Sequence, residues 1–265
     1  LEQKGKFKRK VLFIKPVKKI KIMKKSRIVY STNEAIIVFR SGKTANKKIA
    51  DKKENIVQTY SFSKDQYNYV LNSDLNGEKI SPKQFFDLAE AVCFDCVFRS
   101  YGKCYTHKYT QYSGFLSMLR SIIRESGSVA SIEPLTPIQL LEIVNLSKGK
   151  YIRFGTYGEP SLIDIGLVAK VCDVAKNWTG YSHQWQRKLE YNKYFMSSVH
   201  SAMGAAHAQT KGFRSFIASN TTLANKIAVA CPASKEAGFK SNCSKCGLCS
   251  GTFGKGKKSV QILTH

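Results

Sequence analysis

The chain has 265 residues, 43% apolar, 11% aromatic and 23% charged, with eight cysteines and a formal charge of +25 from 43 Lys and Arg against 18 Asp and Glu. That composition excludes a chain disordered throughout, and no run approaches the roughly 20 apolar residues needed to cross a bilayer. Cysteines grouped at CxxC spacing in a chain of this length exclude a small secreted disulfide framework. They predict thiol ligands in a reducing compartment, hence the cytoplasm.

The charge points to a polyanionic partner. Twelve basic residues fall in the first thirty positions against one acid, Glu2. Eight of them, Lys8, Arg9, Lys10, Lys18, Lys19, Lys21, Lys24 and Lys25, are the expected nucleic-acid-binding residues. Neutralising phosphates releases counterions, so such a segment binds nucleic acid with steep salt dependence and little regard for sequence. A solvated lysine-rich face is the plainer reading.

Short β-branched and aromatic runs at 11–14, 19–23, 28–30, 35–39 and 56–60 predict strands, so residues 1–75 read as a small basic β-rich region. Ser81 before Pro82 reads as a helix cap and first turn, with Phe85, Phe86, Leu88, Ala89 and Val92 forming the apolar face that leads to Cys93. Helices are expected over 113–124 and from Pro137. Beyond them strands (151–154, 178–181, 194–199, 213–218, 227–230, 260–263) alternate with helices (162–176, 202–211). Strand, helix and strand repeating on short connections implies parallel strands, so residues 76–265 are expected to form an α/β domain, barrel-like or a partial barrel.

Cys231, followed by Pro232, and the run Cys243-x2-Cys246-x2-Cys249 have the pattern of a cubane [4Fe–4S] site: one loop aims three sulfurs and a remote Cys-Pro closes the set. Zinc, held by four thiolates, is the alternative, although two separate CxxC hooks are its usual spacing. Earlier, Cys93-x2-Cys96-x7-Cys104-x2-His107 fits either a Cys3His zinc site or a three-cysteine cluster with one open iron. Cys172, inside an apolar helical pattern, reads as a buried thiol.

Parallel strands gather their sites at the carboxyl ends. After the expected strands come Gly155, Tyr157, Gly158 and Glu159; then Tyr181, His183 and Trp185; then His200, Cys231 and His265. These groups are expected to share one mouth, with Glu159, Tyr181, His183 and His200 as catalytic candidates and the Cys231 centre beside them. Each has a plainer reading. Glu159 suits the positive end of a following helix, His183 and His200 suit hydrogen-bonded core positions, and Tyr181 and Trp185 suit packing. Aromatic faces beside a basic channel also stack nucleobases.

The stretches RFGTYGEP (153–160), WTGYSHQW (178–185), GFRSF (212–216) and CPASKEAG (231–238), with both cysteine groups, resemble an uncharacterised family encoded by bacteriophages and plasmids. The resemblance covers residues 90–265 and implies a mobile-element origin. More distantly, the Tyr157-Gly158-Glu159-Pro160 turn is similar to the one by which radical S-adenosylmethionine barrels hold the cofactor's amino group. That similarity implies S-adenosylmethionine at Gly155, Tyr157, Gly158 and Glu159, although the cysteine spacing departs from CxxxCxxC. Two functions follow as expectations. One is an iron–sulfur enzyme of radical type acting on nucleic acid or a nucleotide. The other is a zinc-stabilised nucleic-acid-binding protein without catalysis, serving replication or packaging.

Overall fold

The computed structural model describes residues 26–99, 104–107, 109–222, 228–254 and 256–263. The expected strands at 11–14 and 19–23, the eight expected nucleic-acid-binding residues and His265 lie outside them.

β1 (Arg27–Ser31) and β2 (Ala35–Gly42) form an antiparallel hairpin, and β3 (Ile56–Ser63) continues antiparallel to β2. β3 then pairs in parallel with β4 (Tyr151–Tyr157), and β4 in parallel with β5 (Asn177–Thr179). The first sheet thus draws strands from both sides of the boundary expected at residue 75. The run Ala35, Ile36, Ile37, Val38, Phe39 is wholly buried, as befits a strand covered on both faces.

Five helices connect β3 to β4: α1 (Lys64–Leu75), α2 (Pro82–Asp87), α3 (Glu90–Cys93), α4 (Tyr109–Ser126) and α5 (Pro137–Ser147). α1 opens on a reciprocal cap between Ser63 and Gln66, α5 on one between Thr136 and Gln139. The single helix expected from Pro82 to Val92 is interrupted. The Leu88 carbonyl accepts from Ser63 Oγ at 2.6 Å, and Val92 N–H donates to Ala89.

After β4 the chain runs through α6 (Ile165–Val174) to β5, β6 (Tyr181–Ser182), β7 (Met196–Val199), α7 (Ala202–Thr210), β8 (Ser215–Ser219), β9 (Ala228–Ala230), α8 (Cys243–Cys246) and β10 (Ser259–Leu263). The second sheet has the order β6-β7-β8-β10-β9 with every pairing parallel. Gly180 alone separates β5 from β6, so one stretch of chain pairs with β4 by its first half and β7 by its second. The α/β class and parallel strands match expectation; the strands form two five-stranded sheets joined at Gly180.

α6 packs Leu167 and Val168 in one core with Ile152 and Phe154, while α7 packs Ala205 and Ala208 with Val199 and Ile217. The intervening residues Met196, Phe216 and Val260 pack instead with Cys249, Cys231 and Leu248. Strand alternation thus gives the second sheet one helix-covered face and one covered by the carboxyl-terminal cysteine loop. Among the described residues no helix is long and apolar enough to cross a membrane.

Candidate functional site

β4 connects two separate cysteine groups. Tyr151 opens the strand and Tyr157 closes it, roughly 20 Å apart at an extended rise. Tyr151 is buried beside Cys243 and Cys249, Tyr157 beside Cys93 and Cys104.

The carboxyl-terminal group is assembled from distant segments. Cys231 leaves β9 with its N–H on the Gln261 carbonyl at 2.8 Å. The chain then reaches the segment ahead of β3, where Cys243 and Ser244 donate from their amides to the carbonyls of Lys48 and Ile49, each at 2.9 Å. Asn242 caps α8 and donates to Asp51 at 3.0 Å, and Ser244 Oγ donates to Glu54 at 2.7 Å. Gly247 ends α8 at φ 67°, and a Cβ there would fall 2.7 Å from the Asn177 amide, so the turn demands glycine. Arg214 clamps the far side, donating from Nη1 to the Gly251 carbonyl at 2.7 Å and from Nη2 to those of Leu248 at 2.7 Å and Lys258 at 2.6 Å. Sequence reasoning passed over Arg214, although it stands within the GFRSF stretch.

Cys231, Cys243, Cys246 and Cys249 line one small cavity of about 20 Å3 with Thr179, Tyr181 and Pro232, partly open to solvent. Burial pushes the Cys249 thiol far up, Cys243 up to about 11 and Cys231 up, and the neighbouring thiols add to each. The Tyr181 hydroxyl on Cys249 and the Tyr151 hydroxyl on Cys243 oppose the rise, as do Arg153 near Cys243 and Lys48 near Cys231. Such thiols keep their protons until a cation takes their place. Tyr181, expected at the mouth, belongs to this cavity. Its ring packs at a tilt against Phe216, centroids 4.2 Å apart.

The other group forms where α3 ends. Burial raises Cys93 up to about 12, with Cys96, Cys104 and Glu159 adding to it and Arg99 opposing; burial likewise raises Cys96 to about 11, with Cys104 and Glu159 adding. Cys104 Sγ lies 3.1 Å from Thr106 Oγ1. The His107 ring packs at a tilt against Phe86, centroids 3.9 Å apart, and Asp87 is its charged neighbour. Tyr157, deep in the core, accepts from Gln66 Nε2 at 2.6 Å.

Glu159 is 3% exposed and anchored on both oxygens. Oε1 accepts from the Ser161 amide at 3.2 Å and its hydroxyl at 2.9 Å, and Oε2 accepts from the His183 amide at 2.9 Å. The carboxylate therefore caps the turn Pro160–Leu162, as its plainer reading anticipated, and also ties the end of β4 to the end of β6. The His183 and His200 rings stack at 6.4 Å, and His200 meets the edge of Phe98 at 4.7 Å. Asp95 accepts from Gln184 Nε2 at 2.7 Å. Gly158 has φ 73°, and a Cβ there would lie 2.6 Å from the Ser61 carbonyl, so this glycine answers to packing of the turn on β3. Gly155 donates its amide to Thr59 Oγ1 at 2.9 Å. Trp185 is buried against Phe213 and His207, and Cys172 is a buried thiol of α6.

The expected single mouth is thus divided. Glu159 stands beside Cys93 and Cys96 with His183 and His200 around it, whereas none of these three lines the Cys231 cavity. By register Cys231 follows β9 at the level at which His200 follows β7, but it packs with Phe216 and Val260 on the face covered by the cysteine loop, and residues 232–242 lead from it to the segment ahead of β3. Among the described residues, no three His, Cys, Asp or Glu side chains close tightly enough to hold a single metal ion.

Fold and site together define an α/β protein with one mixed and one parallel sheet and two separate cysteine groups. Comparison with protein-family models, curated proteins and solved structures finds no match to the chain.

Proposed function

We propose that the chain is a mobile-element iron–sulfur enzyme of radical type that acts on nucleic acid or a nucleotide in the host cytoplasm. The observation that carries this reading is the grouping of Cys93, Cys96 and Cys104 beside Glu159 at the carboxyl ends of parallel strands. Cys93, Cys96 and Cys104 would hold an iron–sulfur cluster with one position left for a small ligand, which by similarity to radical S-adenosylmethionine barrels would be that cofactor. Bound there, it would supply one-electron chemistry that protein side chains lack. The residues of this chain position and shield. Glu159 fixes the His183 backbone, and burial holds the His183 imidazole neutral at pH 7, against the pull of Glu159, so that the ring accepts protons.

The Cys231, Cys243, Cys246 and Cys249 cavity suits a second cluster. A lone zinc, with sulfurs 2.3 Å away, would draw four thiols to within about 3.8 Å of one another. The spacing Cys243-x2-Cys246-x2-Cys249 with the remote Cys231-Pro232 is the pattern of a cubane cluster, and the four thiols line one cavity.

Anaerobic purification and electron paramagnetic resonance of the reduced protein test this. A cluster signal that changes when S-adenosylmethionine is added, and no longer responds in Cys96→Ala, is the expected result. A colourless protein carrying only zinc would favour a stapled nucleic-acid-binding protein instead.

A further inference from the structure

The parallel strands begin along one edge, and that edge is lined with lysines. Lys53 precedes β3, Lys148 precedes β4, Lys176 precedes β5, Lys193 precedes β7, Lys211 precedes β8 and Lys258 precedes β10, each within four residues of its strand and each exposed. Helix dipoles favour cations where crossover helices end, which accounts for Lys148 and Lys211. It does not account for Lys53 or Lys258, which follow loops; Lys193 ends the short 3-10 turn Leu189–Lys193. Lys176 also pairs with Glu54 at 3.3 Å; at the carboxyl edge Asp95 pairs with Arg187 at 3.8 Å and Glu159 is buried.

Two exposed aromatic rings stand on the same side. Phe239, 54% exposed, carries Lys48 over its ring at 5.1 Å, and Phe253, 60% exposed, carries Lys193 over its ring at 5.4 Å. Both flank the Cys243–Cys249 run. The Phe253 amide donates to the Lys193 carbonyl at 3.0 Å, holding that ring beside the entry to β7. Phe239 has φ 52°, a left-handed conformation that a bulky residue adopts only under constraint.

We infer that the amino edge of the sheets is a docking face for single-stranded nucleic acid, with unpaired bases stacking on Phe239 and Phe253 and the lysines neutralising phosphates. Exposed rings beside cations are the elements of a sequence-tolerant single-strand site, and a duplex would offer them no free base face. The proposal rests on the nucleic-acid part of the reading above and is independent of the metal. It sets the polymer away from Glu159 and His183, so of the two substrates proposed above it favours a nucleotide at the carboxyl edge, with the polymer held separately.

Fluorescence anisotropy with a labelled single-stranded oligonucleotide, using the full chain, tests it. Phe239→Ala and Phe253→Ala should each weaken binding about tenfold while melting stays unchanged, since both rings are exposed. Lys48→Gln with Lys193→Gln should lower the slope of log affinity against log salt by about 2. Lys188→Gln, beyond the carboxyl end of β6, should change neither, and a duplex of the same length should bind more weakly. Oligonucleotide binding that both phenylalanine variants retain would overturn the placement and leave the nucleic-acid reading standing. No binding by the parent chain, or binding to anionic phospholipid vesicles in its place, would overturn both. Iron content and the resonance spectrum, read on the same samples, report separately on the cluster reading.

Discussion

The two cysteine groups differ in what surrounds them. Around Cys249 the neighbours are a tyrosine hydroxyl, apolar strand residues and a backbone loop clamped by Arg214, and four thiols share the cavity. Around Cys93 there are three thiols, a buried carboxylate tied to a neighbouring strand and two stacked imidazoles. A complete ligand set bound into the sheet contributes to folding. An incomplete one beside titratable groups at the carboxyl ends of the strands contributes chemistry. On the proposed reading the same residue type thus serves two ends, according to how many thiols meet and what they meet.

The largest effect should come from the closed group. Cys249→Ser would leave a buried position with one ligand missing, forfeiting stabilisation on the order of 10 kcal/mol where a metal site folds the loop. Soluble yield and metal content should fall together. Full metal content with an unchanged melting curve would erase the distinction between the groups.

Cys93→Ala should act differently. About half the iron should be lost, with a melting shift of only about 5 °C, since the residue ends a one-turn helix and its loss costs a few kcal/mol at most. A collapse as deep as that of Cys249→Ser would mean that both groups are staples.

Much of this frame was legible in the sequence. The β-branched runs that form β1, β2 and β3 stand where expected, and so do the Pro-led starts of α2 and α5. α1 was overlooked although Ser63 and Gln66 carry its capping signal, because the strand runs directly into the cap. The break after α2 was not readable, since the group that takes the Leu88 carbonyl lies 25 residues away in sequence. The same holds for the site. Spacing grouped the cysteines within each loop, and strand order brought Glu159 and His183 together. The return of residues 232–242 to the segment before β3 depends on the amides of Cys243 and Ser244 finding Lys48 and Ile49, which no local pattern announces. The end of β6 at Ser182 also separates Tyr181 from His183: two apart, they would share one face of a continuing strand, but Tyr181 stands in the strand against Cys249 while His183 lies beyond its end.

Glu159→Gln sharpens the comparison at the open group. The amide keeps one acceptor and places an NH2 against a donor, so stability should fall by about 2 kcal/mol in chemical denaturation while the Cys249 centre keeps its metal. Metal loss at both groups would show that Glu159 supports the whole sheet.

The smallest effect concerns pH. Burial holds His183 below its ordinary value, with His200 acting in the same sense and Glu159 opposing. The unfolded imidazole takes its proton first, near pH 6.5, so stability is fully present above that pH and declines as pH falls toward the lowered folded value. His183→Gln should flatten that decline. An identical pH profile for the variant would assign the titration elsewhere.

The most direct measurement is iron and sulfide per chain in anaerobically reconstituted parent, Cys93→Ala and Cys246→Ser proteins. Two clusters predict about eight irons in the parent and about four in Cys93→Ala, with Cys246→Ser losing both metal and solubility. Zinc in place of iron, or a Cys93→Ala protein that retains every iron of the parent, would contradict the account.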